Sequence, residues 1–307
     1  MTSRSGVGLA ETAVSALLGG TSFPVIAVAI RGGLDPLEFA FLRFAVAAPV
    51  MLIPCLIWRR RLGGLFRMKA IWLIGLFNAV GFLCQFVGQA HTDASVAALL
   101  VNLSVMFAAL GGAFFLGERL TPSRAAGVAL AVLGTVLLTT SGNIGELASG
   151  QLFGDGLYLL SALFGAAYIV YSKSKTDETG WDPYAASAVI IASTAVIMFP
   201  AALLSGAHPP ISALSWQAII YTALFNTAIP YALYQAGLRY LSAGSSAVVL
   251  TLGLVTAVGI SVIFLGEAMT PVSWTGAVLI LVSVLLVSGL EVGGKSLSVV
   301  NSNTSRA

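Results

Sequence analysis

Hydrophobic residues form long uninterrupted segments along the chain, and polar residues are concentrated in the short stretches between them. Ten apolar segments have about the 20 residues that a helix needs to cross a bilayer. They cover residues 9–30, 36–57, 70–90, 94–115, 123–141, 153–172, 184–204, 215–237, 243–265 and 272–291. None of them alternates polar and apolar residues in the way that marks a strand. The pattern predicts an all-α membrane protein with ten transmembrane helices.

Basic residues indicate how this helical bundle is oriented. With the amino terminus inside, thirteen of the fifteen lysine and arginine residues fall in inner segments, and Arg31 alone falls in an outer loop. The remaining one, Arg43, is within the second segment. Because cytoplasmic loops of membrane proteins are enriched in Lys and Arg, this distribution predicts that both termini are cytoplasmic. The polar residues 292–307 are expected to form a disordered cytoplasmic tail.

The composition supports a membrane location. Hydrophobic residues make up 58% of the 307 residues, charged residues make up 9%, and the mean hydropathy is +0.95. A soluble domain carries about 25% charged residues. The sequence shows no nucleophile–base pair, metal-binding cluster or phosphate-binding loop, so no cofactor is expected, and a membrane-embedded enzyme is the weaker alternative. The basic residues follow the loops, so the expected partners are lipid and a small solute, with no nucleic acid.

Two halves of the chain carry similar sequences. The stretch FFLGERLTP at residues 114–122 returns 149 positions later as IFLGEAMTP at residues 263–271. The first half spans residues 9–142 and the second spans residues 153–291, and each half contains five of the predicted helices. The sequence therefore predicts two structural repeats.

An odd number of helices in each half places the second repeat in the membrane in the opposite orientation. The repeated loop is then cytoplasmic in the first half and external in the second. This explains why Arg119 and Arg124 of the first loop are replaced by Ala268 and Ser273 in the second. Inverted repeats of this kind are typical of secondary transporters, whose substrate site lies between the repeats near the bilayer midplane.

The repeated loop also contains signals for the start of a helix. Thr121 is followed by proline, as is Thr270, and each pair is typical of an N-cap residue with proline at the first helical position. Glu118 and Glu267 lie just before these starts, where a carboxylate is favourable. We expect a structural role for the two glutamates, and a gating role is the alternative.

Five-helix halves with a GE-x-x-T loop before the fifth helix, and with Gly127 and Gly276 in the fifth helices, resemble the EamA-type drug/metabolite transporters. The resemblance covers roughly residues 9–291, and within the family the chain resembles the bacterial aromatic amino-acid exporters. It implies a multi-pass protein of the bacterial inner membrane that exports aromatic and other hydrophobic amino acids. Many family members have proline midway along the fourth and ninth helices, where this chain has Ser104 and Gly253.

Polar and aromatic residues within the apolar segments are the candidate substrate-binding residues. Deep polar groups of membrane helices usually face the interior of the bundle, and here they recur at helical spacing in the third and eighth segments. The candidates are Asn78, Phe82, Gln85, Asn102, Tyr168, Asn226, Tyr231 and Tyr234. The alternative, that small and polar residues only allow helices to pack closely, stays open.

Arg43 and Glu38 are candidates for a gating or structural role. Arg43 lies about two turns inside the second helix, and Glu38 is five positions earlier. The structural interpretation is an arginine held by Glu38 or by backbone carbonyls. The functional interpretation is an outer gate or a contact for a substrate carboxylate.

The scarcity of charged residues within the apolar segments limits which chemical classes of substrate the protein can bind. Arg43 is the only basic residue deep within a segment, since Arg124 lies at the very start of its own, so phosphorylated sugars and nucleotides would lack counter-ions. No acidic residue lies in the middle of a segment, as a proton-coupled exporter would require. The missing charges therefore favour a neutral or zwitterionic, largely apolar solute that moves down its own gradient by facilitated diffusion. The family resemblance implies that this solute is an amino acid, exported by alternating access, and we expect the protein to be a monomer. A proton-coupled exporter of other small amphiphilic metabolites or drugs is the alternative.

Overall fold

The structure, a computed structural model, describes residues 4–31, 33–58, 62–89, 94–118, 121–140, 152–205, 212–265, 270–283 and 286. All regular secondary structure in these ranges is helical. The helices are α1 (Arg4–Gly20), α2 (Ser22–Arg31), α3 (Pro36–Ile57), α4 (Leu62–Phe66), α5 (Lys69–Gln89), α6 (Ala94–Leu116), α7 (Pro122–Thr140), α8 (Leu152–Thr179), α9 (Pro183–Leu204), α10 (Ala213–Ala223), a π-turn (Leu224–Ala228), α11 (Ile229–Gly237), α12 (Ala243–Leu250), α13 (Leu252–Leu265) and α14 (Pro271–Ser283).

Helical structure is present within each of the apolar segments that the sequence delimits. Among the described helices, α3, α5, α8 and α9 are long and apolar enough to cross a membrane by length and composition. Other segments are divided: the first at Thr21, the eighth by the π-turn and the ninth at Thr251. The full number of transmembrane helices and the side on which the termini lie stay predictions.

Local signals in the sequence set several helix starts. Asp35 precedes the proline at the start of α3, and its Oδ1 accepts hydrogen bonds from the backbone N–H groups of the second and third helical residues at 2.9 and 3.0 Å. Asp182 caps α9 in the same way at 2.8 Å. The Thr–Pro starts are confirmed for α7 and α14, where Thr121 and Thr270 accept backbone hydrogen bonds at 3.3 and 3.1 Å. These side chains satisfy donors that a helix start leaves unpaired.

The two halves of the chain interleave, and each packs against the other. Helix α5 packs on α8 and α9, α3 packs on α9, and α6 packs on α8. In the corresponding arrangement, α1 packs on α11, α12 and α13. The contact between the third segment and the sixth thus has a counterpart between the eighth and the first. This arrangement places residues from both halves around a common centre.

Glycine allows α1 to approach the second half closely. A Cβ atom on Gly20 would collide with the carbonyl oxygen of Gly253 and would lie 2.7 Å from Cβ of Thr256. Near the other end of the helix, a Cβ on Gly8 would lie 2.7 Å from Cβ of Tyr240. Because close packing of this kind leaves no room for a side chain, small residues determine where α1 sits.

Candidate functional site

A cavity of about 430 Å³ lies between the two halves of the chain. Its wall is formed by residues of α1, α2, α3, α5 and α6 from the first half, and of α8, the π-turn, α11, α12 and α13 from the second. The structure brings together on this wall seven of the sequence-predicted substrate residues: Asn78, Phe82, Gln85, Tyr168, Asn226, Tyr231 and Tyr234. The side chain of Asn102 lies outside the described residues. Their common location is observed, and their role in binding stays a prediction.

Arg43 also lines the cavity, whereas Glu38 does not. The arginine side chain is buried, and its Nε–H donates to Oγ1 of Thr227 at 2.6 Å. Its Nη2 donates to the backbone carbonyl of Asn226 at 2.8 Å. The sequence left open whether Glu38 or backbone carbonyls hold Arg43, and the structure shows a bond to one backbone carbonyl. Since two neutral acceptors hold the guanidinium, its positive charge is not neutralised by these contacts.

Pro230 leaves the backbone carbonyl of Asn226 available to Arg43, because proline has no N–H to donate to it. In an α-helix each carbonyl accepts a hydrogen bond from the fourth residue further on. The wider turn from Leu224 to Ala228 changes this pairing, and the hydroxyl of Thr227 donates to the carbonyl of Thr222 at 3.0 Å. Single π-turns within helices are frequent at functional sites. Here the turn combines with Arg43 to fix a cation on the cavity wall.

Aromatic rings form a second part of the wall. The ring centroid of Tyr231 is 6.0 Å from that of Tyr168 and 6.3 Å from that of Phe44, both at steep angles. The ring of Tyr168 stacks on Tyr234 at 6.0 Å. The guanidinium of Arg43 lies 5.5 Å from the centroid of the Phe82 ring. These distances are within the range of favourable aromatic and cation–π contacts, so the cavity has an apolar region beside its cation.

Hydrogen bonds hold the polar groups of this aromatic region in place. The hydroxyl of Tyr231 donates to Oδ1 of Asn78 at 2.7 Å. Nδ2 of Asn78 donates in turn to Oγ1 of Thr194 at 3.2 Å, and that hydroxyl donates to the carbonyl of Ile190 at 2.8 Å. This series of hydrogen bonds joins α11 to α5 and α9. Both halves of the polypeptide therefore set the orientation of the Tyr231 ring.

Two interruptions of helices meet at the cavity. The first segment is broken at Thr21, between α1 and α2, and the π-turn interrupts the eighth segment. The side chain of Asn226 joins them, because its Nδ2 donates to the carbonyl of Leu18 at 2.6 Å and to Oγ1 of Thr21 at 2.7 Å. Discontinuous helices at a central cavity are a recurrent way to present backbone and polar groups to a substrate.

Several wall residues were missed by the sequence analysis. Phe77, Phe86 and Tyr158 line the cavity, and the latter two are buried. The sequence analysis selected mainly polar and tyrosine positions, and the phenylalanine and tyrosine residues beside them resemble ordinary lipid-facing or packing residues in segments that are mostly apolar. Only the structure shows how closely α5 approaches Tyr158, because a Cβ on Gly88 would lie 2.9 Å from the tyrosine ring.

On one side of the protein, polar contacts join the two halves. Gly117 ends α6 with a φ of 65°, a left-handed conformation that glycine adopts readily. The next residue, Glu118, accepts hydrogen bonds from the backbone N–H groups of Ala243 at 2.7 Å and Gly244 at 3.5 Å. The carboxylate therefore lies at a helix N-terminus, as expected, but at that of α12 and not that of the following helix, α7.

Two basic residues reinforce the same side. Nζ of Lys173 donates to the carbonyl of Leu238 at 3.1 Å and pairs with Asp177 at 2.7 Å. Arg239 donates from Nη2 to the backbone carbonyl of Trp181. The loops that follow α6, α8 and α11 are thus tied to neighbouring elements. A rearrangement that opened the protein on this side would have to break these contacts.

Comparison with known proteins identifies relatives over nearly the whole chain. The sequence profile of the EamA-like transporter family matches residues 5–140 and 152–289. An uncharacterised transporter of Archaeoglobus fulgidus is 30% identical over 282 residues, which cover 90% of this chain and 84% of the relative.

A second relative has a more specific name. A probable terminal-alkyne amino-acid exporter of Streptantibioticus cattleyicolor is 26% identical over 281 residues, covering 89% of this chain and 90% of that protein. Among solved structures, one crystal structure superimposes with a TM-score of 0.77 at 20% identity, covering 94% of this chain and 98% of the other. At this identity, the structural similarity supports the fold alone.

Proposed function

The chain belongs to the EamA-like transporter family, and we propose that it exports aromatic and other hydrophobic amino acids across the bacterial inner membrane. Membership of the family makes it a membrane transporter with a small-molecule substrate. The proposal adds the substrate class, the direction of transport, the membrane and a monomeric, ten-helix inverted repeat that works by alternating access. The probable terminal-alkyne amino-acid exporter among the relatives supports an amino-acid substrate.

The observation that carries the proposal is a buried cation beside aromatic rings on the wall of one cavity. Arg43 is held by the carbonyl of Asn226 and the hydroxyl of Thr227, and its charge can therefore pair with a substrate carboxylate. The rings of Phe82 and Tyr231 line the same cavity and offer contacts for an aromatic side chain. A volume of about 430 Å³ is within the usual range of roughly 300–1,000 Å³ for small-molecule pockets.

The described residues on the wall support facilitated diffusion. The described lining contains no aspartate or glutamate, so the cavity offers no carboxylate that would bind and release a proton during transport. The substrate gradient then drives export. In the proposed orientation, the side on which Glu118, Lys173 and Arg239 join the two halves is cytoplasmic, and alternating access requires these contacts to separate.

The test is counterflow of radiolabelled L-phenylalanine into proteoliposomes that contain the purified protein. We expect saturable counterflow, and we expect net efflux of L-phenylalanine from loaded proteoliposomes to persist when the proton gradient is collapsed. The variant Arg43→Gln is expected to lower the apparent affinity at least tenfold, because hydrogen bonds to charged groups contribute about 1.5–3 kcal/mol and about 1.4 kcal/mol corresponds to tenfold. Arg67→Gln is the matched control, since Arg67 is exposed and does not line the cavity.

Two results would contradict the proposal. Absence of saturable flux for aromatic and aliphatic amino acids would exclude this substrate class. A strict requirement for the proton gradient would favour the proton-coupled alternative. The first residue to test would then be Glu11 in α1, whose Oε2 is buried without a hydrogen-bond partner in the described part of the chain.

A further inference from the structure

The side chain of Asn226 has a buried carbonyl oxygen with no protein partner. The residue is 2% exposed and lines the cavity. Both donors of its amide nitrogen are used, by the carbonyl of Leu18 at 2.6 Å and by Oγ1 of Thr21 at 2.7 Å. Oδ1 has no hydrogen bond within the described residues. A buried acceptor without a partner is destabilising, so the group calls for a functional explanation.

The hydrogen bonds of its neighbours determine which way the amide faces. The carbonyl of Leu18 can only accept, and the hydroxyl of Thr21 donates to that same carbonyl at 2.8 Å. A flipped amide would place Oδ1 at 2.6 Å from the carbonyl oxygen of Leu18, where neither atom can donate. Nδ2 must face the break between α1 and α2, which leaves Oδ1 as the unpaired atom.

The unpaired oxygen belongs to the residue that also holds the buried cation. The backbone carbonyl of Asn226 accepts from Nη2 of Arg43 at 2.8 Å. The carboxylate and ammonium groups of an amino acid are attached to the same α-carbon, so they need a cation and an acceptor that are close together. Tyr234 also has a hydroxyl without a described partner, but it lies eight residues further along the chain, about 12 Å away at the rise of an α-helix.

We propose that Oδ1 of Asn226 accepts a hydrogen bond from the substrate ammonium group while Arg43 pairs with the carboxylate. The two residues then recognise a free α-amino acid, and its side chain extends towards the aromatic rings. This inference rests on the proposed function and makes it more specific. A deaminated analogue keeps the carboxylate and the ring but leaves Oδ1 unpaired, so the site discriminates against it.

The experiment compares competitors of L-phenylalanine counterflow in proteoliposomes. Unlabelled L-phenylalanine and 3-phenylpropionate are titrated against the wild-type protein. 3-Phenylpropionate is expected to compete at least tenfold more weakly, because a hydrogen bond from a charged donor contributes about 1.5–3 kcal/mol. In Asn226→Ala the ratio of the two inhibition constants is expected to fall to about threefold or less.

Thr21→Val is the matched control. It removes a partner of the Asn226 amide nitrogen at the same helix break but leaves Oδ1 in place, so the ratio is expected to stay as in the wild type. A purely structural role of Asn226 would weaken both competitors equally and leave the ratio unchanged in Asn226→Ala.

The outcomes separate this inference from the proposed function. Equal competition by L-phenylalanine and 3-phenylpropionate in the wild-type protein, with saturable counterflow, overturns the inference and leaves the transport of aromatic solutes standing. This comparison decides the matter even if Asn226→Ala does not fold. Absence of saturable L-phenylalanine counterflow in the wild type overturns both.

Discussion

Replacing Tyr231 tests whether the aromatic wall contacts the substrate. Its ring lines the cavity and makes edge contacts with Tyr168 and Phe44 at centroid distances of 6.0 and 6.3 Å. Its hydroxyl donates to Oδ1 of Asn78 at 2.7 Å. Tyr231→Ala removes the ring and the hydroxyl together, whereas Tyr231→Phe removes only the hydroxyl. The pair of variants separates the contribution of the ring from that of the hydrogen bond.

The expected magnitude follows from one aromatic contact. A substrate ring that meets Tyr231 gains about 0.5–1.5 kcal/mol beyond the burial of its area. At about 1.4 kcal/mol per decade, this corresponds to a loss of roughly twofold to twelvefold in apparent affinity for phenylalanine or tryptophan in Tyr231→Ala. A small aliphatic substrate such as threonine makes no ring contact and is expected to lose less. Tyr231→Phe is expected to keep the ratio between aromatic and aliphatic substrates.

The assay is the concentration dependence of counterflow for phenylalanine and threonine, with equal amounts of each variant reconstituted. The ratio of the two apparent affinities is the informative quantity, because a general loss of folded protein cancels from it. Equal losses for both substrates in Tyr231→Ala would refute the reasoning. Tyr231 would then be a packing residue between Phe44 and Tyr168, and the substrate ring would bind elsewhere.

Two further predictions concern packing and orientation. Gly20→Ala is expected to destabilise the protein by about 1–3 kcal/mol, because its Cβ would collide with Gly253. Gly19→Ala is the control, since a Cβ there has open space. Equal melting temperatures of the two variants in detergent would contradict the observed approach of α1 to α13. Cysteines at Ser149 and Ala207 are expected to react with an impermeant thiol reagent outside intact cells, and one at Ser174 is not. Labelling of Ser174→Cys from outside would show that the orientation and the inverted repeat are wrong.

The amino-acid sequence by itself determined where the helices lie and where several of them begin. The length of each apolar segment and the capping pairs at Asp35 and Thr121 are local properties, and they act in the same way whatever surrounds them. The polar and aromatic candidates were also predictable as a group. A polar group in an apolar helix is most stable facing the interior of the bundle, and seven of the eight candidates do line one cavity.

Only the tertiary structure decided which groups are partners. Arg43 is bonded to residues 183 and 184 positions away, one of them through a carbonyl that is available because the fourth residue further on, Pro230, has no N–H. Glu118 stabilises the start of α12, which is 125 residues further along the chain, and not the start of the helix that follows it. Neither partner is encoded in a local pattern. Each depends on how closely distant helices approach, and that distance is set by packing between the two halves.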